Sequence, residues 1–113
     1  MVVRKVSWVA PAKKAFEKFP SSVKEKVINA LRIAAKGETA EITKPMKGLG
    51  AGVYEIAISY RKNAYRSVYA VKIEEDIWVV HAFLKKSKTG IKTPKQEIDL
   101  IRYRIKLLKE QLK

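Results

Sequence analysis

The feature that most constrains the fold is a run of three alternating segments within residues 53–85. In the first segment, VYEIAISY, bulky apolar side chains alternate with small or polar ones, a period of two that is typical of a strand with one buried face. The segments AYRSVYAVKI and IWVVHAFLKK follow it, each after a short polar turn, RKN and then EED. Three strands joined by two tight turns predict an antiparallel meander of residues 53–60, 64–73 and 77–85.

Two helical signals precede the meander. Pro11 is suited to the first position of a short helix that Pro20 ends. Ser22 lies three residues before Glu25, the spacing of a capping box, and apolar residues at helical spacing follow as far as Gly37, a natural stop. A pair of antiparallel helices is therefore predicted before the sheet.

A third helical signal follows the meander. Thr93 is a predicted N-cap with Pro94 at the first helical position and Gln96 three residues on. An apolar stripe then recurs at spacings of three and four: Ile98, Ile101, Ile105, Leu108 and Leu112. The opposite side of this helix carries Arg102, Lys106 and Lys109.

These elements predict one α+β domain over residues 1–113. With a valine-rich strand near the N-terminus, the predicted order is β-α-α-β-β-β-α. This gives an antiparallel four-stranded sheet with two N-terminal helices and one C-terminal helix. We expect the helices to cover one face of the sheet and to leave the other partly open.

The charge balance indicates a polyanionic partner. The chain has 25 Lys and Arg against 11 Asp and Glu, a net charge of +14. Residues 85–113 hold 10 basic and 3 acidic residues, so about a quarter of the chain carries +7, half of the excess. Such a concentration of positive charge favours nucleic acid or an acidic protein.

Composition also bears on compartment and on metals. The absence of cysteine excludes disulfides and thiolate metal ligands and is typical of a cytoplasmic protein, and we expect no metal and no other cofactor. Arg4 and Lys5 interrupt the first apolar stretch, so we expect no signal peptide. No apolar run approaches the roughly 20 residues that span a membrane, and we expect no membrane partner.

Residues 45–108 resemble the phage-derived, HigB-like branch of the RelE toxin superfamily. The matching pieces begin with KGLG at residues 47–50, GVYE at residues 52–55, and Tyr65-Arg66 with Tyr69. The most specific piece is HAFLKKS at residues 81–87, followed by Thr93-Pro94 and Glu97. Residues 1–44 match only in the order of their elements.

The resemblance implies a RelE-like fold and the toxin of a type II toxin–antitoxin pair. Such a toxin cleaves mRNA, commonly on the ribosome, and a small helix-turn-helix antitoxin neutralises it. One residue departs from the pattern, because many relatives carry Arg where this chain has Ala57. If that Arg holds phosphate in the relatives, this protein is weakened or uses Arg61 instead.

RNA cleavage without a metal requires three groups. A base takes the proton from the 2′-hydroxyl, a cation stabilises the pentavalent phosphorane, and an acid protonates the leaving 5′-oxygen. The chain has one histidine, so a pair of histidines cannot do this work. The roles would pass to lysine, arginine, tyrosine and a carboxylate.

Arg66 is the first candidate for the phosphate, because a guanidinium binds two oxygens at once and keeps its charge. Glu55 lies on the neighbouring strand. Glu55 is either a general base or an ion-pair partner of Arg66. If the two form an ion pair, Arg66 is either a surface cation without a role in the site or a site residue that Glu55 orients.

Lys85 and Lys86 are adjacent in a strand and therefore point to opposite faces, so one of them can face the site. His81, Phe83 and Lys85 share a face. We expect Lys85 to be the site lysine if His81 lies on the open face, and Lys86 if the helices cover that face. Crowding by like charge would suit the chosen lysine to proton transfer.

The remaining candidates each have two interpretations. His81 is either a structural residue in an apolar strand or a catalyst, and Tyr69 either packs in the core, stacks on a base or donates a proton. Phe83 is either core or a stacking platform. We expect four cations to bind RNA or the ribosome without doing chemistry, and they are Lys47, Arg61, Lys88 and Lys92.

Two other classes of function fit the same residues. The chain could be a non-catalytic basic module that binds nucleic acid, a reading to which Ala57 lends weight. It could also be an interaction protein whose basic face captures an acidic partner. A neighbouring reading frame that encodes a helix-turn-helix protein would favour the toxin.

Overall fold

The computed structural model describes residues 2–86 and 93–112. The described elements are β1 (Val6–Trp8), α1 (Ala10–Glu17), α2 (Ser21–Ala35), β2 (Thr43–Pro45), β3 (Val53–Tyr60), β4 (Asn63–Ile73), β5 (Asp76–Lys86) and α3 (Lys95–Gln111). The meander β3–β4–β5 matches its prediction to within a residue at each end. Its first turn is the two-residue loop Arg61-Lys62 between the paired residues Tyr60 and Asn63.

The strands form one five-stranded sheet in the order β1-β5-β4-β3-β2. The predicted four-stranded antiparallel sheet is wrong in two respects. The short strand β2 pairs with the start of β3 and adds a fifth strand. In addition, β1 lies at the edge opposite β2 and runs parallel to β5. The sheet is therefore mixed.

Helices lie on both faces of the sheet, so the prediction that all of them cover one face is wrong. The helices α1 and α2 pack on one face through Ala12, Phe16, Val23, Val27 and Leu31, against Ile56, Ile58, Tyr69 and Val79. On the other face, α3 packs through Ile101, Ile105 and Leu108 against Val53, Val68, Ala70 and Val80. The apolar stripe predicted for α3 is confirmed, and it fixes α3 on the face opposite α1 and α2.

The predicted side-chain caps are absent. The N-cap residues of α2 and α3 are Pro20 and Pro94, and neither helix has a side-chain cap hydrogen bond. Proline holds the extended backbone from which a helix can begin, and here it takes the place predicted for Ser22 and Thr93. The Thr93 hydroxyl is consequently available for a contact with the sheet.

Candidate active site

Arg66 is buried in the middle of β4, with 7% of its surface exposed. It lies opposite Ala57 of β3 and Phe83 of β5, on the face that α3 packs against. Its Nη1 donates to Oε1 of Glu55 at 3.0 Å, and the two side chains are only 8% and 12% exposed. The expected Arg66–Glu55 contact is therefore a buried ion pair and not a surface one.

Thr93 completes this ion pair from the start of α3. Its hydroxyl donates to Oε2 of Glu55 at 2.6 Å and accepts from Nη1 of Arg66 at 3.2 Å. Both carboxylate oxygens of Glu55 are thus engaged, one by Arg66 and the other by Thr93. This arrangement orients the guanidinium and ties the beginning of α3 to the sheet.

The register shows which of the two adjacent lysines shares a face with Arg66. Lys85 lies opposite Ala64 and is two residues from Phe83, the cross-strand neighbour of Arg66. Residues at even spacing on a strand and their direct cross-strand partners share a face, so Lys85 lies on the Arg66 face. It is 7% exposed, whereas Lys86 is exposed and points to the other side. Which of the two lysines serves the site stays a prediction, and the register favours Lys85 because it shares a face with Arg66.

His81 lies on the same face and is held by two residues of α3. Its Nε2 is 2.5 Å from Oε1 of Glu97, and its Nδ1 is 2.8 Å from Nη1 of Arg104. An arginine can only donate, so Nδ1 accepts and the ring proton resides on Nε2, which donates to Glu97. The neutral form is favoured because burial lowers the pKa of His81, and the nearby charge of Arg104 lowers it further, although Glu97 opposes both effects.

Arg104 also donates from Nη1 to the carbonyl oxygen of Val80, at 3.1 Å. Its partial burial lowers its own pKa, an effect that the charge of Glu97 opposes. Neither Glu97 nor Arg104 was a predicted site residue. Their spacing could have indicated a shared role, because Glu97 and Arg104 are seven residues apart and therefore lie on the same side of the helix. That side is next to the apolar stripe of Ile101 and Ile105.

The ring of Phe83 is half-buried beside this cluster. It stacks on the imidazole of His81 with centroids 5.2 Å apart and an interplanar angle of 26°. Because Phe83 is also the cross-strand neighbour of Arg66, an aromatic surface and a guanidinium lie side by side. This pair is complementary to a nucleotide, whose base can stack on the ring while its phosphate binds the guanidinium.

Tyr69 is not part of this cluster. It is 1% exposed and belongs to the core beneath α1 and α2, where it stacks on Tyr54 at 5.4 Å. Burial, together with the neighbouring Tyr54, raises the pKa of Tyr69 to about 12. Tyr69 therefore lies on the face opposite Arg66, within the core.

The predicted RNA-binding cations are dispersed. Lys47 is exposed in the loop between β2 and β3, and Arg61 lies in the turn at the other end of β3, with its guanidinium carbon 5.3 Å from the ring centroid of Tyr60. The eight residues of β3 separate them by roughly 25 Å. Lys88 and Lys92 lie outside the described residues.

The assembled cluster can bind an anion and hold it still. Arg66 and Lys85 supply charge from a buried surface, where water screens it weakly, and Glu55 fixes the direction of the guanidinium. Within residues 2–86 and 93–112, no group of His, Asp and Glu side chains lies together as a metal site would require. None of the described helices is long and apolar enough to cross a membrane.

The sequence matches one family, and the structure matches solved proteins. The family described as Phage derived protein Gp49-like (DUF891) matches residues 14–106. A mutant of the E. coli toxin RelE in the free state superposes with a TM-score of 0.66 at 21% identity, covering 93% of this chain and 99% of that one. The isolated E. coli RelE toxin gives a TM-score of 0.56 at 24% identity, over 77% of this chain and 87% of that one. The RelE fold expected from the sequence is therefore confirmed. No curated protein sequence matches the chain.

Proposed function

Because this chain belongs to the phage-derived Gp49-like protein family, we propose that it is the toxin of a type II toxin–antitoxin pair and an endoribonuclease that cleaves mRNA. The observation that carries the proposal is the cluster of Arg66, Glu55 and Lys85. Burying two cations on one sheet face costs desolvation energy, which is large for a small domain. An anionic substrate that binds there provides a reason to keep it.

The reaction that suits these groups is attack by a ribose 2′-hydroxyl on the adjacent phosphorus. The 2′-oxygen forms a bond to phosphorus, the bond from phosphorus to the 5′-oxygen breaks, and the products are a 2′,3′-cyclic phosphate and a 5′-hydroxyl. Arg66 binds the two non-bridging oxygens, on which negative charge accumulates in the transition state. We assign to Lys85, two residues from Phe83 on the same face, the transfer of the 2′-hydroxyl proton to the leaving 5′-oxygen.

Two other groups position this machinery. Glu55 has both oxygens engaged and orients Arg66, so it is a positioning residue and not the general base. His81 has both ring nitrogens engaged by Glu97 and Arg104, and it presents the ring of Phe83 for stacking on a base. The base beside the scissile phosphate would lie on Phe83 while the phosphate reaches Arg66.

The partners follow from charge and from the family. With a net charge of +14, the protein is suited to mRNA on the ribosome, where RNA surrounds the substrate. The same charge suits an acidic antitoxin, which we take to be a small helix-turn-helix protein. We place the protein in the cytoplasm, where both partners are found.

A second candidate function is a basic module that binds RNA without cleaving it. Ala57 lies directly opposite Arg66 in the register, at the position where relatives of the HigB-like branch often carry a second arginine. Without that cation, one guanidinium must neutralise the phosphate. This arrangement suits binding as well as it suits catalysis.

Inducible expression with genome-wide mapping of mRNA 5′ ends separates the two functions. Wild type should arrest growth and create new 5′-hydroxyl ends, and Arg66→Ala should do neither. The matched control is Arg32→Ala, which removes an exposed arginine of α2 on the other side of the sheet and should behave as wild type. Growth arrest without new ends would favour the binding module, and cleavage by Arg66→Ala would overturn the site.

A further inference from the structure

A second cationic feature lies on the α3 side of the sheet, away from Arg66. A cavity of about 290 Å³ opens between the glycine loop of residues 46–52 and the C-terminal half of α3. Its lining residues are Gly48, Leu49, Arg102, Ile105, Lys106 and Lys109. We propose that this cavity is a phosphate-binding subsite for the backbone of single-stranded RNA, separate from the site of cleavage. The inference rests on the proposed function, because it takes RNA to be the ligand.

The α3 wall of the cavity carries three cations at positions 102, 106 and 109. Like charges at these spacings face one another and weaken a helix, so the arrangement works against folding. Arg102 is anchored, because it donates to Oδ1 of Asp99 at 3.3 Å and to the carbonyl oxygen of Gly48 at 3.2 Å. Within the described part of the chain, no carboxylate lies within ion-pair distance of Lys106 or Lys109. These two ammonium groups are available to an anion.

The loop wall of the cavity carries glycines with positive φ at alternate positions. Gly48, Gly50 and Gly52 have φ angles of 79°, 90° and 77°, and they alternate with residues of ordinary negative φ. Where left-handed residues alternate with right-handed helical ones, successive amide N–H groups converge on an anion, and the proposal assigns that role to this loop. A side chain at Gly48 or Gly50 would meet no atom within 4 Å, so packing does not require glycine there. The requirement comes from the backbone conformation, and Lys47 adds a further cation to the same loop.

The subsite lies where an RNA strand leaving the cleavage site can reach it. The glycine loop leads into β3 at Val53, which pairs with Ala70, four residues along β4 from Arg66. That separation is roughly 13 Å along the strand direction, and both features are on the α3 face. The same RNA strand can therefore contact Arg66 with one phosphate and the subsite with phosphates a few nucleotides away.

The salt dependence of RNA binding tests this inference. The probe is a fluorescein-labelled single-stranded RNA of about 20 nucleotides with every ribose 2′-O-methylated, so that it cannot be cleaved. Lys106→Gln/Lys109→Gln and the matched control Lys14→Gln/Lys18→Gln each lower the net charge from +14 to +12. The control lysines are exposed on the α1 side of the sheet.

The α3 variant, Lys106→Gln/Lys109→Gln, should bind the probe about tenfold more weakly than wild type at about 0.15 M salt. Its plot of the logarithm of the association constant against the logarithm of the salt concentration should be less steep by about 1.4, which is about 0.7 for each lost phosphate contact. The control should keep the wild-type slope. Gly50→Ala should also weaken binding, although it changes no charge, provided that its thermal unfolding shows a folded protein. Equal slopes for the two double variants would overturn the subsite. The subsite would also be overturned if loss of Lys106 and Lys109 weakened binding of poly-L-glutamate but left RNA binding unchanged.

The outcome is independent of the nuclease proposal. A wild type that cleaves no mRNA but binds the probe through Lys106 and Lys109 keeps the subsite and overturns the nuclease. A wild type that cleaves, with both double variants binding alike, keeps the nuclease and overturns the subsite.

Discussion

The ion pair between Glu55 and Arg66 makes the sharpest prediction about stability. Both side chains are about nine-tenths buried, and Glu55→Gln removes the negative charge that faces the guanidinium while keeping the shape of the side chain. Breaking a buried ion pair from one side costs about 3 to 5 kcal/mol. Gln can still accept hydrogen bonds from Arg66 or Thr93, so we expect the lower end, about 3 kcal/mol. For a domain of this size, that loss lowers the melting temperature by roughly 12 °C.

The assay is urea unfolding followed by circular dichroism, arranged as a double-mutant cycle. Arg66→Met should cost a similar free energy of unfolding, because it leaves the buried carboxylate of Glu55 without the guanidinium. The double variant Glu55→Gln/Arg66→Met should recover most of the loss, giving a coupling of about 2 kcal/mol or more. The matched control is the exposed pair of Arg102 and Asp99, whose side chains are 55% and 53% exposed, and Asp99→Asn should cost about 0.5 kcal/mol or less. Single variants that each cost under about 1 kcal/mol and add without coupling would refute the reasoning.

Three further predictions follow from particular residues. Because burial lowers the pKa of His81, the unfolded chain binds a proton more readily than the folded one. The stabilisation from the neutral imidazole should therefore be fully present above about pH 6.5, and the free energy of unfolding should fall as the pH drops below it. His81→Asn should flatten this fall in urea unfolding measured from about pH 7 to about pH 5, and an unchanged pH dependence would contradict the prediction. The Tyr69→Phe variant should cleave RNA at a rate within about twofold of wild type, because Tyr69 lies in the core on the other face of the sheet. Its spectrophotometric titration should show one fewer tyrosine ionising near pH 12 than the wild type shows. A large loss of cleavage would mean that Tyr69 belongs to the site. Gly52→Ala should destabilise the folded protein more than Gly48→Ala, although both glycines have positive φ, because a Cβ at Gly52 would lie 2.9 Å from side-chain carbons of Val71 and Lys72, whereas a Cβ at Gly48 would meet open space. By thermal unfolding, we expect a loss of about 1 kcal/mol for Gly48→Ala and about 2 to 3 kcal/mol for Gly52→Ala. Equal losses would be inconsistent with this packing.

Much of the sheet was predictable because its signal is local. Alternation along β3, β4 and β5 specifies each strand, and short polar turns specify which strands are neighbours. The strand β2 was missed because it has three residues, ends in Pro45 and forms only by pairing with β3, at a distance in the sequence. The parallel pairing of β1 with β5 is likewise a long-range event.

The placement of the helices was not predictable from their stripes. An apolar stripe states which side of a helix is buried, but it does not state which face of a sheet covers it. This is why α3 was expected beside α1 and α2, and why the choice between Lys85 and Lys86 stayed open. The register aligns Lys85 with Ala64 and Phe83 with Arg66, so it shows independently of the helices that Lys85 and Arg66 share a face.

The residues of the site were partly readable. Arg66 and Glu55 could be paired across neighbouring strands, but their burial could not be predicted, because it depends on Thr93 and α3. The position of Tyr69 was available from alternation alone. It is three residues from Arg66 on one strand, and a period of two places residues at odd spacing on opposite faces.

Cleavage of an mRNA that carries one 2′-deoxy nucleotide at the cut position tests the central claim most directly. Purified protein is incubated with ribosomes programmed with either this mRNA or its all-ribose counterpart, and the products are mapped by primer extension. The mechanism requires the 2′-oxygen as nucleophile, so the all-ribose mRNA should be cut to a 2′,3′-cyclic phosphate and a 5′-hydroxyl, and the 2′-deoxy mRNA should stay intact at that position. Cleavage of both mRNAs at the same position would contradict the account. So would cleavage of the all-ribose mRNA by the Arg66→Ala variant at the rate of the wild-type protein.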